Sequence, residues 1–132
     1  MKNTSLDVGI TEISIQTGSI KAADTKDPAT ITVCDVSGGC CSNPLDVPGY
    51  NDRAQGHVDT YNGPDVLGQC YDFVPARGDL TVTLEKTRSD GWYVQWTKVK
   101  LSCGRSFTCN FNTWLDIDVG YSNSETVQCQ GL

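Results

Sequence analysis

Leu80-Thr81-Val82-Thr83-Leu84 decides the fold class. Apolar and hydroxyl side chains alternate there, so one face of an extended strand meets a core and the other meets water. Working outward, Trp92 to Leu101 is rich in aromatic and β-branched residues, and Phe107, Cys109 and Phe111 alternate again. Ile13, Ile15 and Thr17 alternate up to Gly18, Ile31 and Val33 alternate with threonines, and Glu125 to Cys129 reads as a last strand. Turn clusters separate these runs: Ser37-Gly38-Gly39, Pro48-Gly49, Asn62-Gly63-Pro64 and Asp90-Gly91. No segment of ten or more residues has helical periodicity. Short strands with frequent turns indicate an all-β sandwich or barrel. At 132 residues the chain suits one domain, residues 1–132, with no repeat or linker.

Charge and cysteine narrow the function. The formal net charge is -6 and no Lys/Arg cluster is present, which argues against nucleic acid as a partner. Seven cysteines in a chain this short point to disulfides and to an oxidising, extracellular setting. Zinc is disfavoured, because there is no C-x-x-C knuckle and His57 is the only histidine. Cys103 and Cys109 flank Gly-Arg-Ser-Phe-Thr, and a short hairpin there would set them face to face. Cys34 with Cys40 or Cys41 is a second local pairing, and Cys70 with Cys129 is what remains. The odd count leaves one thiol unpaired or paired between chains. No stretch is apolar for long enough to span a bilayer. The N-terminus has no hydrophobic signal core, so we read the chain as a secreted mature form with a start methionine added. Asn3-Thr4-Ser5 fits a glycosylation acceptor, a triplet common by chance.

Catalytic signals are sparse. There is no Gly-x-Ser-x-Gly elbow, a lone loop histidine is usually a solvated residue, and no carboxylate pair stands out. The sequence therefore reads as a non-enzyme. Among the tryptophans, Trp92 and Trp114 read as core, since a strand tryptophan usually buries its large apolar area. Trp96 shares strand parity with Trp92 unless a bulge turns it outward. Tyr50, at a loop start, is the better exposed contact residue.

The segment Pro48-Gly49-Tyr50-Asn51-Asp52-Arg53-Ala54-Gln55-Gly56-His57-Val58-Asp59-Thr60-Tyr61 resembles the PLAT domain of polycystins, lipoxygenases and alpha-toxins. Thr17-Gly18-Ser19-Ile20, an acidic loop and Ala29-Thr30-Ile31-Thr32-Val33 are similar to the family's opening strands. Gly91-Trp92-Tyr93-Val94-Gln95-Trp96-Thr97-Lys98-Val99 and Phe107 to Leu115 are similar to its closing half. The likeness covers roughly residues 10 to 128 and looks closest to the single-domain plant branch. It implies an antiparallel β-sandwich of two four-stranded sheets and a non-catalytic module. Loops at one end of that module would touch a membrane or lipid surface, or a protein partner, with calcium as cofactor.

By position, the resemblance assigns calcium to Asn51 and Asp52, to Asp24 or Asp27, and to Asp90, with Glu85 as a lesser alternative. The family's Glu after Asn-Asp is absent, Ala54 standing near its place. Calcium takes six to eight oxygen ligands from flexible loops, which Asn51-Asp52 between Gly49 and Gly56 could supply. The same residues also suit a solvated turn, and the resemblance tips the reading toward calcium. Two other classes remain open: a disulfide-held acidic matrix protein, and a carbohydrate-binding sandwich using surface Trp and Tyr.

Overall fold

A computed structural model describes residues 9–19, 28–45, 56–76, 78–87, 91–117, 120 and 122–131. These form eight strands: β1 (Ile10–Thr17), β2 (Ala29–Cys34), β3 (Cys40–Pro44), β4 (Val58–Asn62), β5 (Leu80–Lys86), β6 (Trp92–Leu101), β7 (Ser106–Leu115) and β8 (Ser124–Gly131). One helical turn, α1 (Pro64–Leu67), runs into a 3-10 turn at Gly68–Cys70.

All described strand pairs are antiparallel, in the order β3-β2-β5-β8-β7-β6-β1-β4. The all-β expectation holds. The expected division into two separate four-stranded sheets is not confirmed, because β8 is shared. Its Ser124 to Cys129 pair with β5, while Gln130 and Gly131 pair with Thr108 and Phe107 of β7. The eight strands are thus hydrogen-bonded as one sheet. That sheet bends at β8: β5 and β7 are not neighbours in it, yet their Cα atoms come within 8 Å. In a flat sheet, strands two places apart lie roughly 9.5 Å from each other.

Alternation explains the bend. Leu80, Val82 and Leu84 face inward with Ile31 and Val33, while Ile13, Ile15, Val94, Val99, Phe107 and Cys109 face inward from the other half. Both halves bury the same face in one hydrophobic cluster, and only curling can cover it. The two edges, β3 and β4, are bridged by the helical segment between them. Asn43 Nδ2 donates 2.6 Å to the Val66 carbonyl, and Cys41 is bonded to Cys70. Gly68, at φ +49, lies against the Asn43 amide oxygen, where a side chain would clash.

The disulfides are Cys34–Cys40, Cys41–Cys70 and Cys109–Cys129, with Cys103 a free, exposed thiol. This corrects two expected pairings, Cys103–Cys109 and Cys70–Cys129. The β6–β7 turn is tight, with Lys100 opposite Ser106, so Cys109 sits opposite Thr97 and not Cys103. Cys103 lies in that turn, between Leu101 and Ser106, while Cys109 lies three residues along β7, roughly 10 Å from the strand's start, whereas a bridge needs Cα atoms within about 7 Å. Cys109 instead faces Cys129 on the adjacent strand, Cα to Cα 4.2 Å. Of the two local options for Cys34, the register selects Cys40, its direct partner in the β2–β3 hairpin.

Trp92 is fully buried, as read. Trp114 is not in the core: it lies opposite Tyr93 on the outer face, where the rings pack edge to face at 5.4 Å. A register shift between β1 and β6 near Gln16 and Thr17 accompanies a change of parity in β6. Trp96 consequently points outward, with Lys98 Nζ 5.1 Å from its ring centre.

Candidate functional site

Asp24, Asp27, Tyr50, Asn51, Asp52 and Asp90 lie outside the described residues. The strand ends that flank them are described. Residues 20–27 fall between Thr17, the end of β1, and Ala29, the start of β2. Residues 46–55 fall between Pro44 of β3 and Val58 of β4, and residues 88–90 between Lys86 of β5 and Trp92 of β6. In an antiparallel chain alternate connections share one end, and the register bears this out. Gln16 is opposite Val58, Thr30 opposite Pro44, Ala29 opposite Lys86, Glu85 opposite Ser124, and Trp92 opposite Leu115. These ends therefore form one rim. The β2–β3 turn, the α1 segment and the β6–β7 turn belong to the opposite end.

Several described side chains furnish this rim. Trp92 Nε1 donates 2.9 Å to Thr17 Oγ1, both buried, which locks the end of β1 to the start of β6. Lys86 continues the inward parity of Leu80, Val82 and Leu84 and is 2% exposed. Its Nζ donates 2.9 Å to Asn123 Oδ1, and its backbone N–H donates to the Asn123 carbonyl. A buried ammonium is costly without such partners, and these two bonds tie the end of β5 to the residue before β8 at this rim. Asp59 of β4 is buried on the same side. Asp116 stands just past β7, and a Cβ built on Gly91 would strike its carboxylate. Gly91 thus leaves room for a carboxylate at the start of β6.

Asp116, Asn123 and Asp59 bring oxygen atoms to this rim, that of the Asn123 amide being engaged by Lys86, and no cysteine stands among the described residues here. Among the described residues, no three His, Cys, Asp or Glu side chains are grouped to hold a metal by themselves. Val58 and Ile117, both exposed, add apolar surface to this end. Among the described residues no helix is long and apolar enough to cross a membrane.

Sequence reading missed three of these residues. Lys86 and Asp59 were accessible through parity, by extending the alternation of Leu84 and of Tyr61. Asp116 has no such signal, because its place depends on the register of β6 against β7.

No family model and no curated protein matches the sequence. Solved structures do match the fold. The chain is similar to coral 8R-lipoxygenase with a TM-score of 0.72 and 17% identity, over 92% of this chain and 17% of that one. It is similar to the alpha toxin of Clostridium absonum with a TM-score of 0.66 and 20% identity, over 98% of this chain and 33% of that one. The fold is that of the PLAT, or lipoxygenase-homology, domain. The Clostridium perfringens alpha-toxin shares it, with a TM-score of 0.56 and 19% identity. The chain spans about a third of the toxins and about a sixth of the lipoxygenase, so the PLAT fold here corresponds to one portion of those larger proteins. The coral enzyme's structure is described as explaining calcium activation via a C2-like domain.

Proposed function

We propose that this chain is a secreted, non-catalytic binding module whose rim docks on a membrane or lipid surface with the help of calcium. One observation carries the reading: the strand ends flanking all three aspartate-bearing segments converge on one rim of a PLAT fold. Asn51 and Asp52, a carboxylate from Asp24 or Asp27, and Asp90 would hold the ion, with Tyr50 as a contact residue. Calcium supplies the charge that an acidic domain lacks, giving a local positive site for phosphate or carboxylate headgroups. Exposed Val58 and Ile117 support a lipid-facing role for this end. The calcium activation attributed to the C2-like domain of the coral lipoxygenase supports the choice of ion. Three disulfides support secretion.

The test is co-sedimentation with vesicles of phosphatidylserine and phosphatidylcholine, in calcium and in chelator. The proposal expects binding in calcium that is lost in chelator and weakened in Asp52→Ala. Binding to immobilised sugar that ignores chelation, and is lost in Trp96→Ala, would move the function to the outer aromatic face. Absence of vesicle binding in both conditions would leave a protein partner as the remaining target of the rim.

A further inference from the structure

The three disulfides differ in their surroundings. Cys70, Cys109 and Cys129 are fully buried and Cys41 is 5% exposed, so two bridges lie inside the core. Cys34–Cys40 is different, with Cys40 exposed and Cys34 half-buried on the outer face. Cys40 and Cys41 are adjacent, but strand alternation sends their side chains to opposite faces. Each therefore belongs to a separate environment.

The outer bridge is also redundant with its surroundings. It closes a separation of only 6 residues, across a hairpin that other contacts already hold. Asp35 Oδ1 accepts from the Ser37 backbone N–H at 2.9 Å, the Ser37 hydroxyl at 2.7 Å and the Gly39 N–H at 2.9 Å. Asp35 Oδ2 accepts from the Ala76 N–H at 2.8 Å, tying the turn to the segment before β5. The Asp35 N–H donates 2.8 Å to the Gly39 carbonyl, and Thr32 and Ser42 hydroxyls pair at 2.7 Å on the same outer face. Opening Cys34–Cys40 breaks none of these bonds.

We infer that Cys34–Cys40 is a solvent-facing dithiol–disulfide couple, able to react with a small dithiol while the two buried bridges keep the fold closed. A thiolate of the dithiol attacks Sγ of Cys40. The Cys34–Cys40 bond breaks, a mixed disulfide forms at Cys40, and Cys34 leaves as a thiolate that takes a proton from water. The second thiolate of the reagent closes its own ring and releases Cys40, which is protonated in turn. The protein gains two electrons and two protons, and the dithiol is oxidised to its disulfide. The site lies at the end opposite the proposed calcium rim, so the inference stands apart from that proposal.

The test uses Cys103→Ser, so that every thiol detected comes from a bridge. The protein is equilibrated with increasing dithiothreitol in native buffer, alkylated and mapped by mass spectrometry, with near-ultraviolet circular dichroism recorded in parallel. Cys34 and Cys40 should be labelled at reductant concentrations about tenfold below those that label the other four, with the spectrum unchanged. The double variant Cys34→Ser/Cys40→Ser should keep the same spectrum in the absence of reductant. Simultaneous labelling of all six cysteines, loss of the spectrum as Cys34 and Cys40 are labelled, or failure of the double variant to fold would each overturn the inference.

Discussion

Trp92 Nε1 and Thr17 Oγ1 meet at 2.9 Å inside the core, at the point where β1 ends and β6 begins. The bond joins two strand ends that lead into separate loops of the proposed binding rim. Thr17→Val keeps the shape and removes the acceptor from a buried indole N–H. Losing such a partner costs about 1–3 kcal/mol. Thr17→Ser, which keeps the hydroxyl, should lose clearly less. Urea unfolding of both variants against the wild type checks the order.

Thr97 presents the reverse case. It is fully buried on β6, between Ile15 and Cys109, and its hydroxyl has no hydrogen-bond partner among the described residues. Thr97→Val removes a buried polar group that gains nothing from its site. The substitution should stabilise the protein by about 1 kcal/mol, read as a higher urea midpoint at unchanged slope.

Asp35 gives the fold a pH dependence. The Ala76 N–H, helped by the Ser37 hydroxyl and the Gly39 and Ser37 N–H groups, lowers its pKa from 3.8 to about 2. A carboxyl group with a depressed folded pKa contributes stability above its unfolded pKa. That contribution fades as pH falls through the window from about 4 to about 2. Asp35→Ala should lower the melting temperature at pH 7, and the deficit should shrink toward pH 2. Asp35→Asn should fall between the two proteins, since one amide oxygen cannot replace both carboxylate oxygens.

Non-reducing peptide mapping should recover Cys34–Cys40, Cys41–Cys70 and Cys109–Cys129, with Cys103 alone open to alkylation. Removing the buried Cys109–Cys129 bridge as Cys109→Ser/Cys129→Ser should cost about 3 kcal/mol, the scale for a loop of this length. Recovery of a Cys103–Cys109 peptide would contradict the β6–β7 register.

Much of the fold was legible in alternation. Leu80, Val82 and Leu84, the run from Trp92, and the set Phe107, Cys109 and Phe111 each mark an inward face that the structure buries. The two edge strands were hidden. β3 is Cys-Cys-Ser-Asn-Pro and faces inward with Cys41 and Asn43, while β4 faces inward with Asp59 and Tyr61. Edge strands meet the core on less of their length, so polar residues blunt the pattern that central strands display. The partners of Cys70 and Cys109 and the outward place of Trp114 were illegible for a related reason, while Cys34–Cys40 and an outward Trp96 were legible only as one of two alternatives. All depend on which residues face each other across strands, and one register shift changes the answer. The proposed ligands fall on three aspartate-bearing segments outside the described residues, and the strand order adds that the ends flanking those segments share a rim. Lys86 and Asp116 complete that rim through register and parity, which no motif announces.

Thermal unfolding in calcium and in chelator tests the central claim most directly. An ion held only by the native state raises its stability by roughly 2.7 kcal/mol at a hundred times the dissociation constant. The account predicts that the wild type melts at a clearly higher temperature in calcium than in chelator. It also predicts that Asp52→Ala loses most of that difference. Equal melting temperatures for the wild type in the two conditions would contradict a calcium site, and equal stabilisation of both proteins would remove Asp52 from it.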